Sequence, residues 1–385
     1  MAARSKISSR IIQSEIRNMS IECAKVEGIN LSQGFSDTDL APEISVAAKK
    51  AIDNGINHYT RYDGLSELRN ALALKLQKYN HIVADPERNI TVTNGSTAGL
   101  FCVLYALCKP EDEIIVFEPY YGYHLNTIFA LNLVPKYARL KPPDWKIELS
   151  KLEKLCSSRT RAIIVNTPTN PSGKVFTELE LREICRFAKR HNIYVITDEI
   201  YEYFLYDETI HISPGSFKEY IRNVITISGY SKTFSITGWR VGYVVSPPEI
   251  ARDIGFVHDL FYVCAPAPLQ MGVTAGILEL GQEFYDSLRN SYQCKRDMIC
   301  DALDRARLTP IVPKGAYYVL ADIASVPGKT SKQKVMRLLK DTGIAAVPGE
   351  AFFHGDTGGS VARFCFAKKD EIIEKASRIL EKTRY

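Results

Sequence analysis

Lys232 stands in the stretch SGYSKTFSITGWRVGY (228–243), among small hydroxyl residues and eight positions before Arg240. A primary amine attacks a carbonyl only when it has lost its proton, and burial or a neighbouring guanidinium favours that neutral form. Taken alone, such a lysine is an ordinary solvated side chain. Its meaning depends on what else the chain brings near it. Gly95, Ser96 and Thr97 follow NITVTN and open a helical pattern. They offer backbone N–H groups, two hydroxyls and the positive end of a helix dipole, which together make a seat for phosphate. A plain capped helix start has the same look. TPTNPSG (167–173) holds the Asn170 amide between two prolines, Pro168 and Pro171, which restrict the turn. Asp198 ends the apolar run IYVIT, and Tyr201 follows three residues on. A carboxylate at such a place is costly unless a cation or a set of donors meets it.

The elements that must position these residues are legible in the same runs. Short apolar stretches (NITVTN, DEIIVFEP, TRAIIVNTP, IYVITDEIY, NVITISGY) alternate with helical periods such as ELELREICRFAKRH. That alternation predicts an α/β, doubly wound, mostly parallel sheet. From about residue 285 the pattern changes to a long helix, then GAYYVLADI, another helix, SVARFCFAK and a terminal helix. This reads as a smaller α+β domain. The expected division is 41–285 for a large cofactor-binding domain, with 1–40 and 286–385 forming the small one. In an open parallel sheet, ligands collect at the carboxyl ends of the strands, and every stretch named above follows an apolar run. A phosphate seat, a fixed amide, an acid beside a phenol, an amine and an arginine form a set. Pyridoxal 5′-phosphate asks for that set: a lysine for its aldehyde, an acid for its ring nitrogen, donors for its ring oxygen, and N–H groups with cations for its phosphate.

Composition narrows the classes. The 385 residues are 45% hydrophobic and 24% charged, with a net charge of +5 and both signs interspersed. No basic run is long enough to follow a nucleic-acid backbone, so no nucleic-acid partner is expected. Nine scattered cysteines without a CxxC pair fit neither a disulfide framework nor a zinc site, and point to a cytoplasmic setting. The polar start, with Arg4, Arg10 and several serines, admits a transit peptide, against which stand Glu15 and its continuation into a periodic helix. No stretch reaches the length of a membrane span. The seven histidines make no HExxH or cluster, so no metal is expected, and His258 reads as structural. VPGKTS (326–331) imitates a nucleotide-binding loop, but Ile323 occupies the position of the first glycine.

Over nearly its whole length the chain resembles the fold-type I pyridoxal-phosphate aminotransferases of class I and II. The resemblance lies in NLSQGF (30–35), YTRYDGLSELRNAL (59–72), TNGSTAGLF, EPYYGY, NTPTNPSGKVF, TDEIYEYF, YSKTFSITGWRVGY, PKGAYYVLADI and VARFCFAKKDE. VHDLFYVCAPAPLQ (257–270) is similar to the subgroup that includes aspartate, kynurenine and methionine aminotransferases. The resemblance implies that Lys232 carries the cofactor as a Schiff base and that Asp198 partners the ring nitrogen. It makes Asn170 and Tyr201 ligands of the ring oxygen, and Gly95, Ser96, Thr97 and Arg240 holders of the phosphate. Tyr121 would stack on the ring, and Arg363, Gly34 and Asn170 would meet the substrate. Tyr59 would reach the phosphate of a neighbouring subunit, in a homodimer with shared sites. One position departs from the pattern: Gly229 stands where many relatives have a phosphate-binding serine, leaving Ser228 or Ser231 to make that contact.

The expected activity is transfer of an amino group from an aromatic, large apolar or acidic L-amino acid to a 2-oxo acid. Two alternatives are a cysteine-S-conjugate β-lyase, which shares removal of the Cα proton, and a non-catalytic regulator that senses the cofactor. Phe35, Tyr62, Tyr120, Tyr121, Tyr123 and Tyr262 are expected around the substrate side chain. Arg61, beside Tyr59 in the same cross-subunit loop, is a candidate for the second carboxylate of a dicarboxylic substrate, with a solvated loop arginine as the plain alternative.

Overall fold

The computed structural model describes Ile11 and residues 14–385; Arg4 and Arg10 of the considered targeting segment lie outside the described residues. A seven-stranded sheet organises the chain, in the spatial order Ile90–Thr93, Gly242–Val245, Val224–Gly229, Tyr194–Asp198, Thr160–Asn166, Glu113–Glu118, Val134–Arg139. Gly242–Val245 runs antiparallel to both neighbours, and the remaining neighbouring strands pair in parallel. The sheet is thus mixed and mostly parallel, and apart from its edge strand Val134–Arg139 it is buried on both faces. That explains why its strands read as continuous Val/Ile runs rather than alternating ones.

Local signals account for the helices that flank it. Glu178–His191 begins with a capping box between Thr177 and Glu180 and ends in Lys189, Arg190 and His191, with Asn192 in the left-handed conformation as C-cap. Both ends therefore match the helix dipole. Ser96–Leu107 is apolar nearly all round, with Ala98, Leu100, Cys102, Val103 and Leu104 buried. It lies between the sheet and the helix Pro248–Tyr262, in a core shared with Ile225, Ile227 and Ile254. A helix with no polar face must be covered on both sides.

A second, antiparallel sheet follows the order Val347–Pro348, Val361–Cys365, Tyr318–Asp322, Thr309–Ile311. The helices Gln282–Arg305, Ser331–Thr342 and Asp370–Glu381 contribute Leu303, Leu338 and Leu380 to its core. Glu15–Lys25 joins the same core through Met19 and Cys23, and Ile29–Asn30 pairs in parallel with Ile344–Ala345. VPGKTS lies in a loop and helix start, where the Thr330 hydroxyl accepts from the Gln333 N–H. Among the described residues no helix is long and apolar enough to cross a membrane.

Candidate active site

A cavity of about 410 Å³ opens where the carboxyl ends of the large sheet meet the second sheet. Thr160–Asn166 delivers Asn166 and, beyond it, Asn170; Tyr194–Asp198 delivers Asp198 and Tyr201; Val224–Gly229 leads to Ser231 and Lys232. From the second sheet come Tyr318 and Arg363.

Among the described residues, the Lys232 ammonium nitrogen donates only to the Gly34 carbonyl, at 3.1 Å. Its pKa is pushed down to about 8, first by burial and then by Arg240 and Arg363, against the opposing pull of Cys365 and Asp198. Asp198 accepts a 2.7 Å hydrogen bond from His124 Nε2 through one oxygen, and the Ile200 N–H approaches the other at 3.3 Å. The Tyr201 and Tyr318 hydroxyls share a hydrogen bond of 2.9 Å, and burial lifts the Tyr318 phenol to about 12. Both phenols stay protonated and can donate. Asn170 is held by its N–H on the Asn166 side chain, and its Oδ1 accepts from Arg363 Nη1 at 2.9 Å.

Arg363 is fully buried, its plane over the Tyr318 ring at 4.3 Å. Nη2 donates to the Ser32 carbonyl, but Nε has no partner among the described residues. A buried guanidinium N–H without an acceptor is expensive, and a bound carboxylate would relieve it.

The fit to pyridoxal phosphate can be tested on the backbone. Gly95 caps Ser96–Leu107 at φ 80°, and a Cβ there would fall 2.5 Å from Arg240 Nη2. The cap gives no side-chain hydrogen bond, so the first N–H groups of the helix are left for an anion. Ser96, Thr97, Ser231 and Arg240 line the cavity around this point. An acid, an amine, phenols, a fixed amide and a phosphate cradle converge on one space, and the residues present fit the cofactor.

The structure corrects some expectations. Ser228 is fully buried on the far side of its strand, donating to the Glu199 carbonyl and to Glu202 Oε1. It does not reach the cavity, whereas Ser231 does. Gly229 is required where it stands, because a Cβ would come within 2.9 Å of Gly242 Cα on the adjacent strand. Arg61 lies outside the cavity of its own chain, with Nη1 on Glu87 and Nη2 on Asp63, both at 2.6 Å. Tyr59, expected to act in a neighbouring subunit, lies outside the cavity of its own chain and is 84% exposed, which leaves that expectation standing. Of the expected aromatic wall, Phe35, Tyr121 and Tyr123 line the cavity. Tyr62 packs on Phe256, Tyr120 on Tyr137 and Tyr262 on His258. His258 hydrogen-bonds the Tyr62 carbonyl and the Asn94 side chain, tying the 59–64 loop to the residue before Gly95.

Sequence reasoning missed His124, Asn166 and Tyr318. His124 follows Tyr121 by three residues at the start of the helix Gly122–Ala130, with the two rings edge to face at 5.3 Å. That helical spacing was the available signal.

Fold and site together define a pyridoxal-phosphate enzyme of the aspartate aminotransferase-like, fold-type I class. The family described as aminotransferase class I and II matches residues 26–380. The chain is 33% identical to the aspartate aminotransferase of Pyrococcus abyssi, over 96% of this chain and 95% of that one. It is 32% identical to an aromatic-amino-acid aminotransferase of Thermococcus litoralis, with the same coverage. A solved Escherichia coli structure with a methionine aminotransferase function superposes with a TM-score of 0.95 at 29% identity, covering 99% of this chain and all of that one. The chain belongs to the class I and II aminotransferases, enzymes that depend on pyridoxal 5′-phosphate.

Proposed function

We propose that the cavity is the catalytic site of this aminotransferase, with Lys232 as the amine that holds the cofactor and then moves the substrate's Cα proton. The observation that carries this reading is a half-buried amine whose pKa is pushed down to about 8, in one cavity with Asp198 and Arg363. Bound there, the cofactor would supply an aldehyde for the amino group and a protonated ring to take up the electron pair left at Cα. Asp198, oriented by His124, keeps a proton on the ring nitrogen. Tyr201 and Asn170 would donate to the ring oxygen, and Tyr121 would pack against the ring. Gly95, Ser96, Thr97, Ser231 and Arg240 hold the phosphate. Arg363 presents its fork to the substrate α-carboxylate, which fixes the bond from Cα to hydrogen within reach of Lys232.

The donors in this reading are aromatic, large apolar and acidic L-amino acids. The names of the aromatic, methionine and aspartate relatives support that breadth, as do Phe35 and Tyr123 on the cavity wall. The assembly is a homodimer with Tyr59 completing the partner's phosphate site. In support, Phe256, Leu260 and Phe261 on the helix Pro248–Tyr262 are exposed, with Phe261 against Tyr105, an apolar patch of the kind that pairs with its own copy. The two-domain division, 41–285 against 1–40 with 286–385, is supported by the shared core of Met19, Leu303 and Phe364. A cytosolic setting accords with nine free cysteines.

The test is reconstitution with pyridoxal phosphate followed by amino-group transfer from phenylalanine, methionine and aspartate to 2-oxoglutarate, pyruvate and oxaloacetate. Turnover with at least one pair, abolished in Lys232→Ala, is expected; turnover that survives in Lys232→Ala would sink the assignment. Mixing Tyr59 and Lys232 variants, each impaired alone, should restore activity in hybrid dimers with one intact site. No recovery after subunit exchange would remove the shared site.

A further inference from the structure

The described cavity wall contains one acidic residue, Asp198, and four basic ones: Arg17, Lys232, Arg240 and Arg363. Under the reading above, three of these are used. Arg240 faces the cofactor phosphate, Lys232 carries the cofactor, and Arg363 takes the α-carboxylate. Arg17 is left over, and a cation left over in a recognition cavity implies a further anionic group on some ligand.

Its setting makes the surplus specific. Arg17 sits in the first turn of the helix Glu15–Lys25, fixed by Met19 and Cys23 in the core below and by a 3.1 Å hydrogen bond from Ser20 to Gln33, next to Gly34. The adjacent acid, Glu15, is turned away and engaged by Lys332 and Asn18. Among the described residues no hydrogen bond or ion pair holds the Arg17 guanidinium, which is exposed at the cavity mouth. Arg61 differs in its pairing: Asp63 and Glu87 with Arg69 close it into a balanced quartet.

We propose that Arg17, rather than Arg61, receives the second carboxylate of a dicarboxylic amino acid or 2-oxo acid while Arg363 holds the first. This rests on the assignment of the cavity as the aminotransferase site. An exposed, unpaired arginine can also swing toward solvent when an aromatic side chain occupies the space beside Phe35 and Tyr123. One cavity then serves an aromatic donor and a dicarboxylic acceptor in alternation.

The experiment compares Arg17→Met and Arg17→Lys with the parent holoenzyme. In the half-reaction of the amino form, the ratio of kcat/KM for 2-oxoglutarate to kcat/KM for phenylpyruvate should fall about ten- to a hundredfold in Arg17→Met, the value of a charge-assisted hydrogen bond. Arg17→Lys should recover part of the ratio. Independently of turnover, the Kd of glutarate, an unreactive dicarboxylate, should rise by a similar factor in calorimetry. An unchanged ratio, or a glutarate Kd that does not move, overturns the proposal. A parent enzyme that transfers no amino group to any acceptor would overturn the site assignment itself, and a working parent with an unshifted ratio overturns Arg17 alone.

Discussion

Five consecutive residues, Asp198 to Glu202, build two charged clusters that differ in one respect. Asp198 and Tyr201 turn to the cavity, while Glu199 and Glu202 turn into the interior. In the interior cluster every carboxylate oxygen is engaged. Lys75, Asn80 and Ser228 meet Glu202, and Thr197, Ser213 and His211 meet Glu199, at 2.6 to 2.9 Å. Glu199, Glu202 and His211 lie close enough together to share a cation, yet Lys75 already supplies the positive charge. Among the described residues the cavity is the reverse: Lys232 meets only a carbonyl, Arg363 Nε meets nothing, and basic groups outnumber acids. Both clusters are buried and perturbed, so burial does not distinguish catalysis from architecture. Unspent donors do.

Substitutions that remove one cluster's partner at a time should separate the two regions. Lys232→Ala should lower kcat by at least about 10⁴-fold, the upper range for loss of a general base, while Tm stays within a few degrees. Lys75→Met should do the opposite. It leaves Glu202 buried without its cation, a loss of about 3 to 5 kcal/mol in denaturant unfolding, with kcat per folded molecule near that of the parent. His124→Phe removes the partner of Asp198 and should cost about ten- to a hundredfold in kcat, with a blue or red shift of the bound cofactor's absorbance reporting the altered ring protonation. A purely structural role for His124 would lower stability without that shift. Ser228→Ala is the smallest change: about 1 kcal/mol of stability from one hydrogen bond, with the dissociation constant for pyridoxal phosphate unaltered. Weaker cofactor binding would return Ser228 to the phosphate site.

The pKa of Lys232 adds a pH signature. A folded-state value near 8, lowered from 10.5, means that the neutral amine grows about tenfold per pH unit below 8 and saturates above it. The rate at which the cofactor-free protein condenses with pyridoxal phosphate should therefore rise to about pH 8 and then level. A rate still climbing toward pH 10 would assign the chemistry to an unperturbed lysine.

How much of this was legible in the chain varied with the kind of information involved. The strand ends were readable because fully buried strands leave apolar runs, and the residue types after them name their chemistry. The direction of a side chain was harder. Ser228 and Ser231 look alike in sequence. Period two along Val224–Gly229 puts Ser228 with Val224 and Thr226, opposite the Ile225 and Ile227 that pack on the helix Ser96–Leu107. His124 and Tyr318 were overlooked because their partners, Asp198 and Tyr201, lie 74 and 117 residues away. Arg61 looked available because Glu87, which occupies it, is 26 residues on.

Lys75, buried, and Lys232, half-buried, are both amines whose pKa is lowered chiefly by desolvation, and they divide the two regions most sharply. Borohydride reduction of the holoenzyme followed by peptide mapping decides between them. A pyridoxyl group on Lys232, with Lys75 and every other lysine unmodified, is the predicted result. A group on any other lysine, or a protein that takes up no cofactor, would contradict the account.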